Sequence, residues 1–392
     1  MVNTITKSIT LTQTKKNKMI NRVLSQLIQL KTNKAIIVLG PRQTGKTTLL
    51  NSIIQNLSDK IFLDCDDPLV RELLENANTE RLRQIIGSNT VVFIDEAQRV
   101  KNIGLTLKII TDQFKQVQLF VSGSTSFELA NEINEPLTGR KWEYILYPVS
   151  WTELENHFGF VKSLQQLEDR LVFGMYPEVI SNPGSEQIIL KQITDSYLYK
   201  DILSLKGVRK PEIVIKLLKL LALQTSREVS YNELANSLQI DKNTVINYID
   251  LLEKVYIVYR MQPLSRNLRN EVSSNRKIYF YDNGIRNALV ANFNPVSMRQ
   301  DIGVLWENFL MSERIKTIHY NQKFVNQYFW RTKQQQEIDY IEERSGNFYA
   351  YEFKWNPEAK TRFSETFLKN YKPAEAKVIH KNNFQEFLVN PQ

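Results

Sequence analysis

Residues 40–47 read GPRQTGKT, a stretch that fits the pattern G-x-x-x-x-G-K-[ST] at every fixed position. The apolar run Ala35–Leu39 precedes it, and a helix is predicted from about Lys46 onward. Glycines allow a backbone to wrap around phosphate groups, and amides at a helix N-terminus supply partial positive charge. The stretch therefore predicts a phosphate-binding loop. Its strand-and-helix setting favours this interpretation over a chance match on a Gly-containing turn.

The predicted ligands of this loop are ATP and Mg²⁺. Lys46 is expected to reach the β- and γ-phosphates, and the Thr47 hydroxyl is expected to bind magnesium. The residues predicted to contact the nucleotide are Gly40, Pro41, Arg42, Gln43, Thr44, Gly45, Lys46, Thr47 and Thr48.

A second stretch, Val91–Ile94, is an apolar strand followed directly by two carboxylates, Asp95 and Glu96. At the carboxyl edge of a sheet, Asp95 would lie beside the phosphate loop and hold magnesium, and Glu96 would polarise the attacking water. Two adjacent acids after a buried strand are costly to desolvate unless a cation compensates them. The pair therefore predicts the metal-binding and catalytic side of the same site.

Three further residues are candidates for catalysis. The strand Leu119–Val121 leads into Ser122 and Ser124, whose hydroxyls would contact the γ-phosphate or the water; a helix N-cap explains these hydroxyls equally well. Arg140 precedes the next predicted strand, where it would stabilise γ-phosphate charge, either in its own chain or across a subunit interface of a homo-oligomer. The alternative is a structural arginine.

Around these motifs, short apolar runs alternate with helix-like stretches. The runs predicted as strands are Ala35–Leu39, Ile61–Leu63, Val91–Ile94, Leu119–Val121 and Trp142–Tyr147. Repeated strand–helix–strand units predict an α/β domain with a parallel sheet and helices on both faces.

The length, charge and cysteine content of the chain limit the kinds of protein it could be. The chain has 392 residues, and 51 Lys and Arg against 42 Asp and Glu give a net charge of +9. The length suggests two or three domains, and the charge favours a polyanionic partner such as nucleic acid, although an ordinary basic protein is equally consistent. The single cysteine, Cys65, excludes an internal disulfide and fits a reducing compartment. No signal peptide, membrane span or zinc site is predicted, so a cytoplasmic protein without a membrane partner is expected.

The middle of the chain predicts a helix-turn-helix. Val229–Leu238 is interpreted as the first helix, with Ser230 as its N-cap, and Lys242–Lys254 as the second, after a turn ending at Asp241. Polar residues near the start of the second helix would face bases, as in a recognition helix: Lys242, Asn243, Thr244 and Asn247. Two β-rich runs follow, Tyr256–Met261 and Lys277–Tyr281. The arginines between them, which would contact phosphates as a wing, are Arg266, Arg269 and Arg276. The alternative is a winged helix used for protein contacts or internal packing.

Several of these motifs together resemble one group of microbial AAA-like ATPases. They are the loop GPRQTGKTT, the box DEAQ at 95–98, Gly123-Ser124, Leu137–Arg140, and FGMYPE at 173–178. The group is close to the signal-transduction branch and carries a C-terminal region labelled a domain of unknown function. The resemblance covers nearly the whole chain, although Phe173 stands where the family often has glycine. It implies an AAA-like ATPase domain and a C-terminal domain of the PD-(D/E)XK nuclease fold.

The last part of the chain carries a second candidate site in a small α/β region. Asp339 is followed by Glu352-x-Lys354, and period-2 alternation places Glu352 and Lys354 on one strand face. Asp339 and Glu352 would bind magnesium, Lys354 would orient water, and Glu307 would complete the metal shell. The alternative is a domain that keeps the nuclease-like fold as a binding platform without cleavage.

The predicted parts are an ATPase domain at 19–150, a helical connector at 151–212, a winged helix-turn-helix domain at 213–292 and a nuclease-like domain at 293–392. Two function hypotheses follow. In the favoured one, an ATPase couples its nucleotide state to binding or processing of nucleic acid, with double-stranded DNA as the expected partner. In the other, a nucleotide-dependent switch holds protein partners through its C-terminal parts.

Overall fold

The computed structural model of the protein describes residues 19–28, 30, 34–124, 136–198, 202, 208, 210–264 and 276–389. The described α-helices are α1 (Leu24–Leu27), α2 (Lys46–Ile54), α3 (Pro68–Leu74), α4 (Thr79–Ile86), α5 (Ile103–Gln113), α6 (Trp151–Phe158), α7 (Phe160–Gln165), α8 (Leu167–Phe173), α9 (Pro177–Ser181), α10 (Glu186–Gln192), α11 (Pro211–Leu223), α12 (Tyr231–Leu238), α13 (Lys242–Lys254), α14 (Asn283–Leu289), α15 (Ile302–Tyr320), α16 (Glu365–Tyr371) and α17 (Phe384–Leu388). The strands are β1 (Ala35–Leu39), β2 (Lys60–Asp64), β3 (Val91–Asp95), β4 (Gln118–Gly123), β5 (Lys141–Ile145), β6 (Glu228–Val229), β7 (Val258–Pro263), β8 (Arg276–Phe280), β9 (Asn326–Arg331), β10 (Glu337–Arg344), β11 (Asn347–Phe353) and β12 (Glu375–Ile379).

The first sheet has five parallel strands in the order β2-β3-β4-β1-β5. β1 and β3 are buried along their whole length, which explains why AIIVL and VVFID are continuous apolar runs rather than alternating ones. Ile37 and Ile36 of β1 enter two different apolar clusters, so helices cover both faces of the sheet. This sheet confirms the predicted α/β fold with parallel strands.

The strand ends differ slightly from those predicted. β5 ends at Ile145 instead of Tyr147, because the chain turns away from the sheet there. The amide of Leu146 still donates to Leu39 O at 2.8 Å, but the amide of Tyr147 donates to the hydroxyl of Tyr320 at 3.2 Å. This exit from the sheet leads directly to the C-terminal part of the molecule.

The helices from α9 to α14 share one apolar core. Tyr176, Leu218, Ile249 and Ile285 all belong to the same buried cluster, although the first lies in the predicted connector and the others lie beyond residue 212. The apolar core therefore continues across the predicted boundary between these two parts.

The two helices predicted as a helix-turn-helix are present. α13 covers Lys242–Lys254, the predicted range, and Asp241 caps it by accepting from the Thr244 amide at 2.9 Å. α12 begins at Tyr231 after its N-cap Ser230, so it is two residues shorter than predicted. The shorter helix results because Val229 pairs as part of β6 with Arg276 of β8.

A turn between α8 and α9 is held against the start of α14. Gly174 has φ of 73°, and a Cβ atom there would lie 2.1 Å from Oδ1 of Asp282. The same carboxylate caps α14, accepting from the Ile285 amide at 3.1 Å, and accepts from the Met175 amide at 2.6 Å. Glycine is therefore required at residue 174, and Asp282 joins two helical segments.

The second sheet has seven strands in the order β12-β11-β10-β9-β7-β8-β6. β6, β7 and β8 come from the predicted winged helix, and β9 to β12 come from the predicted nuclease-like domain. The two sets meet where β7 pairs in parallel with β9, through Gln262↔Tyr328 and Pro263↔Phe329. One continuous sheet therefore crosses the boundary predicted at residue 293.

The long helix α15 runs along this second sheet and reaches back to the first domain. Its residue Glu313 accepts from the Trp151 amide at 2.6 Å, and Lys316 donates to Val149 O at 3.1 Å. Both side chains are buried and also pair with each other at 2.6 Å. Across the ranges that the structure describes, no helix is long and apolar enough to span a membrane.

Candidate functional site

The predicted phosphate loop joins β1 to α2. Its Lys46 is 5% exposed, and its Nζ atom donates to the carbonyl oxygens of Gly40 at 3.0 Å and Pro41 at 2.8 Å. Gly40 has φ of 140°, and a Cβ atom there would lie 2.3 Å from Leu146 O, so the backbone of the loop must be glycine at this point. The lysine ammonium is thus held inside the loop, where phosphate oxygens would replace neutral carbonyls.

The two residues predicted to hold magnesium are in contact. The Thr47 hydroxyl donates to Oδ2 of Asp95 at 2.8 Å, and the Ser122 hydroxyl donates to Oδ1 of the same carboxylate. Burial raises the pKa of Asp95, and the bonds from Ser122 and Thr47 counteract part of that rise. A hydroxyl and a carboxylate at the end of adjacent elements are oxygen ligands of the type that Mg²⁺ binds.

Glu96 lies next to this pair with an unusual backbone conformation. Its φ of 51° is in the left-handed region, and this turns its side chain to meet Gln98. The Gln98 amide donates to Oε2 of Glu96 at 2.5 Å and to the Ser124 hydroxyl at 2.9 Å. Gln98 was not predicted as a site residue. Its signal in the sequence is the DEAQ box, in which it follows Glu96 by two positions.

Arg140 is not brought to this site within the chain. Its carbonyl oxygen accepts from the amide of Ala35, the first residue of β1, whereas the phosphate loop follows the last residue of that strand. The length of a five-residue strand, about 16 Å, therefore separates Arg140 from the loop. The Arg140 guanidinium instead pairs with Asp112 of α5 at 2.6 Å. A catalytic role on the nucleotide of the same chain is corrected by this placement, and a role across a subunit interface stays a prediction.

Arg22, a buried arginine that was not predicted as a site residue, holds the backbone of the phosphate loop. Arg22 donates to Thr44 O of the loop and to Tyr147 O, both at 2.6 Å, and its Nε lies 3.1 Å from Oε1 of Glu153. Glu153 is fully buried, and Arg22 is 8% exposed. No motif surrounds Arg22 in the sequence, so only the fold reveals the connection between the loop and α6.

A cavity of about 170 Å³ adjoins the loop on the side of the first turn of α2. Asn21, Thr48 and Ser52 contribute polar groups to its wall. Pro177 and Ser181 of α9 close it from the helical part. Pro177 belongs to the FGMYPE stretch, so this stretch lies next to the phosphate loop.

The second candidate site also forms a cluster. The Lys354 ammonium lies 3.1 Å from Oε2 of Glu352 and 3.7 Å from Oδ2 of Asp339, which also accepts from the Phe353 amide at 2.8 Å. The Lys354 ammonium therefore lies between the carboxylates of Glu352 and Asp339. Burial, followed by the charge of Asp339, raises the pKa of Glu352 to about 8.

Glu307 joins this cluster through two residues of β8 that were not predicted. Its Oε1 accepts from the Tyr279 hydroxyl at 2.7 Å and from Lys277 Nζ at 3.1 Å. Lys277 Nζ also lies 2.6 Å from Oε1 of Glu337. Burial raises the pKa of Glu307 to about 7, against the lowering effect of Lys277. The acidic cluster is therefore Glu307, Glu337, Asp339 and Glu352.

The predicted magnesium shell is not formed by the acidic cluster. In the part of the chain that the structure covers, no three His, Cys, Asp or Glu side chains are arranged to hold a metal ion. The ammonium groups of Lys277 and Lys354 lie among these side chains instead, each in contact with one oxygen of a neighbouring carboxylate. Glu307, Asp339 and Glu352 are thus brought together, but not as a metal shell.

The surface predicted to contact nucleic acid is described only in part. Lys242, Asn243 and Asn247 of α13 are exposed, as predicted, whereas Thr244 is partly buried because its hydroxyl donates to the capping carboxylate of Asp241. Arg276 is partly buried at the start of β8. Arg266 and Arg269 lie outside the described residues.

Comparison with protein families agrees with the loop geometry. Residues 32–155 match the model described as an AAA domain. This match supports an AAA-like ATPase. Residues 164–296 match a domain of unknown function, DUF8612, and residues 302–390 match another, DUF4143. The AAA domain holds the phosphate loop, Asp95 and Glu96, and the DUF4143 domain holds the acidic cluster.

Known relatives share most of the chain at low identity. An uncharacterized protein of Mycobacterium tuberculosis is 26% identical over 327 residues, which cover 81% of this chain and 70% of the relative. An uncharacterized protein of Methanocaldococcus jannaschii is 26% identical over 325 residues, covering 76% of this chain and 70% of the relative. Among solved structures, a Walker-type ATPase of Pyrococcus abyssi is similar at 15% identity and a TM-score of 0.47, over 68% of this chain and 94% of that chain.

Proposed function

We propose that the chain hydrolyses ATP in a magnesium-dependent reaction and uses its nucleotide state to control binding of double-stranded DNA. The observation that carries the first part is the contact between the Thr47 hydroxyl and Asp95 at 2.8 Å, beside a buried Lys46. Hydroxyl, carboxylate and ammonium are the three groups that a nucleoside triphosphate with its metal requires at a phosphate loop.

The residues present fit both ATP and Mg²⁺. Thr47 and Asp95 would hold the metal, which neutralises charge on the phosphate oxygens when bound. Lys46 would exchange its two neutral carbonyl acceptors for charged phosphate oxygens, which are stronger partners. The rise in the pKa of Asp95 through burial indicates a carboxylate that gains from a neighbouring cation.

Glu96 is the proposed general base. Its carboxylate follows Asp95 at the carboxyl end of β3, and Gln98 fixes its Oε2 atom. A carboxylate in this position would accept a hydrogen bond from the attacking water and remove its proton. Ser122 donates to Asp95, and Ser124 contacts Gln98 and lies 3.5 Å from Oε2 of Glu96, so both serines adjoin the groups proposed to hold the metal and the water.

The adenine moiety is proposed to enter the cavity of about 170 Å³ beside α2. A mixed wall of polar and apolar side chains suits a base with hydrogen-bonding edges and flat faces. Because Pro177 belongs to the helical part, a bound base would touch both the AAA domain and α9. The nucleotide would thereby influence how these two parts are held together.

Nucleic acid is the proposed partner, through α12, α13 and the β7–β8 hairpin acting as a winged helix. Support comes from the net charge of +9 and from the exposed Lys242, Asn243 and Asn247 on the first turns of α13. Side chains at the N-terminal end of such a helix are those that meet base edges in a major groove. The alternative proposal is a nucleotide-dependent switch that uses the same surfaces for a protein partner.

The test is ATP turnover by the purified full chain with Mg²⁺, with and without double-stranded DNA. Glu96→Gln should retain ATP binding and lose turnover, whereas the same change at an exposed site of the AAA domain, Glu72→Gln, should leave turnover unchanged. Wild-type turnover in Glu96→Gln would remove Glu96 from the proposed role.

The comparison of turnover with and without double-stranded DNA tests the proposed partner. Stimulation of turnover by DNA, with an affinity that falls steeply with added salt, supports the nucleic-acid partner, because phosphate contacts release counterions. Turnover that does not respond to DNA, together with no salt-sensitive binding, favours the protein-partner alternative. The ATPase proposal stands or falls separately on Glu96→Gln.

A further inference from the structure

Lys277 is a buried charge with no role in the predicted nuclease-like pattern. Its side chain is 1% exposed and lies on β8, the strand that ends the hairpin after α13. Its Nζ atom lies 3.1 Å from Glu307 on α15 and 2.6 Å from Glu337 on β10. A lysine from one part of the chain is thus inserted among carboxylates from another.

The carboxylates of the acidic cluster are poorly exposed to water, so their burial requires cations close to them. Glu307 is 14% exposed, Glu352 is 9% exposed and Asp339 is 13% exposed as side chains, so bulk water reaches these carboxylates poorly. Carboxylates in such surroundings are costly unless they are paired or bind a metal. Two ammonium groups supply the positive charge, Lys354 on one side and Lys277 on the other.

The two lysines are not equivalent. Lys354 belongs to the Glu-x-Lys pattern and is partly exposed, at 35% of its side chain. Lys277 is additional to that pattern. Its Nζ atom lies 3.1 Å from Oε1 of Glu307 and 2.6 Å from Oε1 of Glu337, so its ammonium is placed directly between two carboxylates.

We infer that Lys277 is the resident cation of the acidic cluster: its ammonium stands in place of the divalent metal of a nuclease-like site. The wild-type chain then holds no metal among these carboxylates and cuts no nucleic acid with them. The cluster instead fastens the β7–β8 hairpin to α15 and β10, through the contacts of Lys277 and Tyr279 with Glu307 and of Lys277 with Glu337. A second cation in the same space would face the fixed charge of Lys277 at close range, which disfavours its binding.

The experiment is a titration of the nucleotide-free full chain with Mn²⁺ alone, in which free Mn²⁺ is measured by electron paramagnetic resonance. Lys277→Met keeps the side-chain length and removes the charge. The acidic cluster of this variant should bind one Mn²⁺ per chain, at least about tenfold more tightly than the acidic cluster of the wild type does. Adding Asp339→Asn to Lys277→Met should abolish that extra site, which locates it in the acidic cluster. Lys277→Arg, which keeps the charge, should behave as the wild type does.

Two results would overturn the inference. One is a Mn²⁺ site in the wild-type chain that Asp339→Asn removes, because the cluster would then already accept a metal beside Lys277. The other is a folded Lys277→Met protein that gains no Mn²⁺. If Lys277→Met does not fold, the pair of wild type and Asp339→Asn decides: equal Mn²⁺ binding by the two supports the inference, and unequal binding rejects it.

Discussion

Lys46 shows how one side chain of the AAA domain is prepared for its ligand. The ammonium is buried and already directed at the loop, held by two carbonyl oxygens that are neutral acceptors. Phosphate oxygens carry a negative charge that attracts the ammonium more strongly than the dipole of a neutral carbonyl does, so phosphate would displace these carbonyls. Little reorganisation of the loop is required when the nucleotide arrives.

Replacing Lys46 with Ala should therefore weaken ATP binding by about tenfold to a hundredfold, the loss expected for one hydrogen bond to a charged group. Equilibrium titration with a fluorescent ATP analogue measures the change. Lys101→Ala, an exposed lysine in the same domain, is the matched control and should bind as the wild type does. An unchanged affinity in Lys46→Ala would contradict the assignment of the phosphate loop.

At the scale of single elements, α14 depends on a carboxylate at its N-terminus. Asp282 caps the helix and at the same time holds the Met175 amide at 2.6 Å, so it fixes the turn that leads to α9 and Pro177. Its buried position raises its pKa, and the backbone amides it accepts from oppose that rise. One side chain therefore places the helix that closes the cavity beside the phosphate loop.

Asp282→Ala should lower the free energy of unfolding by about 1–3 kcal/mol, because it leaves buried amides of Met175 and Ile285 without an acceptor. Urea unfolding followed by circular dichroism measures this loss. Asp282→Asn keeps one acceptor oxygen and should lose less. A stability equal to the wild type in Asp282→Ala would show that the turn is held by other contacts.

The acidic cluster predicts a dependence of stability on pH. Glu307 and Glu352 have pKa values of about 7 and about 8, above an ordinary glutamate at about 4.3, so the folded state binds more protons than the unfolded state between these values. Their contribution is complete below about pH 4.3 and is lost as pH rises through 7 to 8. The groups facing them are Lys277 and Tyr279 of β8, Glu337 and Asp339 of β10, and Lys354, which directly follows β11.

The measurement is the urea midpoint at several pH values between 5 and 8, in the wild type and in Glu307→Gln. The fall of the midpoint with rising pH should be shallower in Glu307→Gln, which cannot ionise at that position. Glu365→Gln, an exposed change on α16, should keep the slope of the wild type. Identical slopes in all three proteins would show that Glu307 does not titrate in this range.

At the scale of the whole molecule, α15 connects the two candidate sites. Tyr320, its last residue, accepts from the Tyr147 amide and adjoins Arg22, which holds the phosphate loop. Glu307, near its first turn, belongs to the acidic cluster. Thirteen residues of helix, about 20 Å, separate the two contacts. A rigid element of this kind can transmit a change at the nucleotide site to the second sheet.

Arg22→Ala tests this connection. It leaves the buried Glu153 without its cation, which should cost about 3–5 kcal/mol of unfolding free energy, and it removes a hydrogen bond to Thr44 O. Urea unfolding with and without ATP measures both effects. Adding Glu153→Gln should restore part of the stability, since the unpaired charge is then gone. A single variant within about 1 kcal/mol of the wild type would contradict the buried pairing.

The sequence predicts those features of the fold that depend on residues close together along the chain. The parallel sheet follows from continuous apolar runs such as Val91–Ile94, and α13 follows from its cap and its apolar face. The roles of Arg22 and Lys277 could not be predicted, because each meets partners more than 25 positions away in the chain. The distance of Arg140 from the phosphate loop of its own chain could not be predicted for the same reason: the sequence gives its neighbours along the chain, but not the edge of the sheet on which it lies.

The continuous second sheet has a consequence for the chain when it is cut. β7 and β9 meet over two residue pairs, one of which contains Pro263, a residue without an amide hydrogen. A fragment ending or beginning near residue 293 would separate these strands and leave two open edges, each with unpaired backbone groups. Such edges recruit strands from other copies, so each half would tend to aggregate. In the intact chain the β7–β9 pairing covers both of these edges.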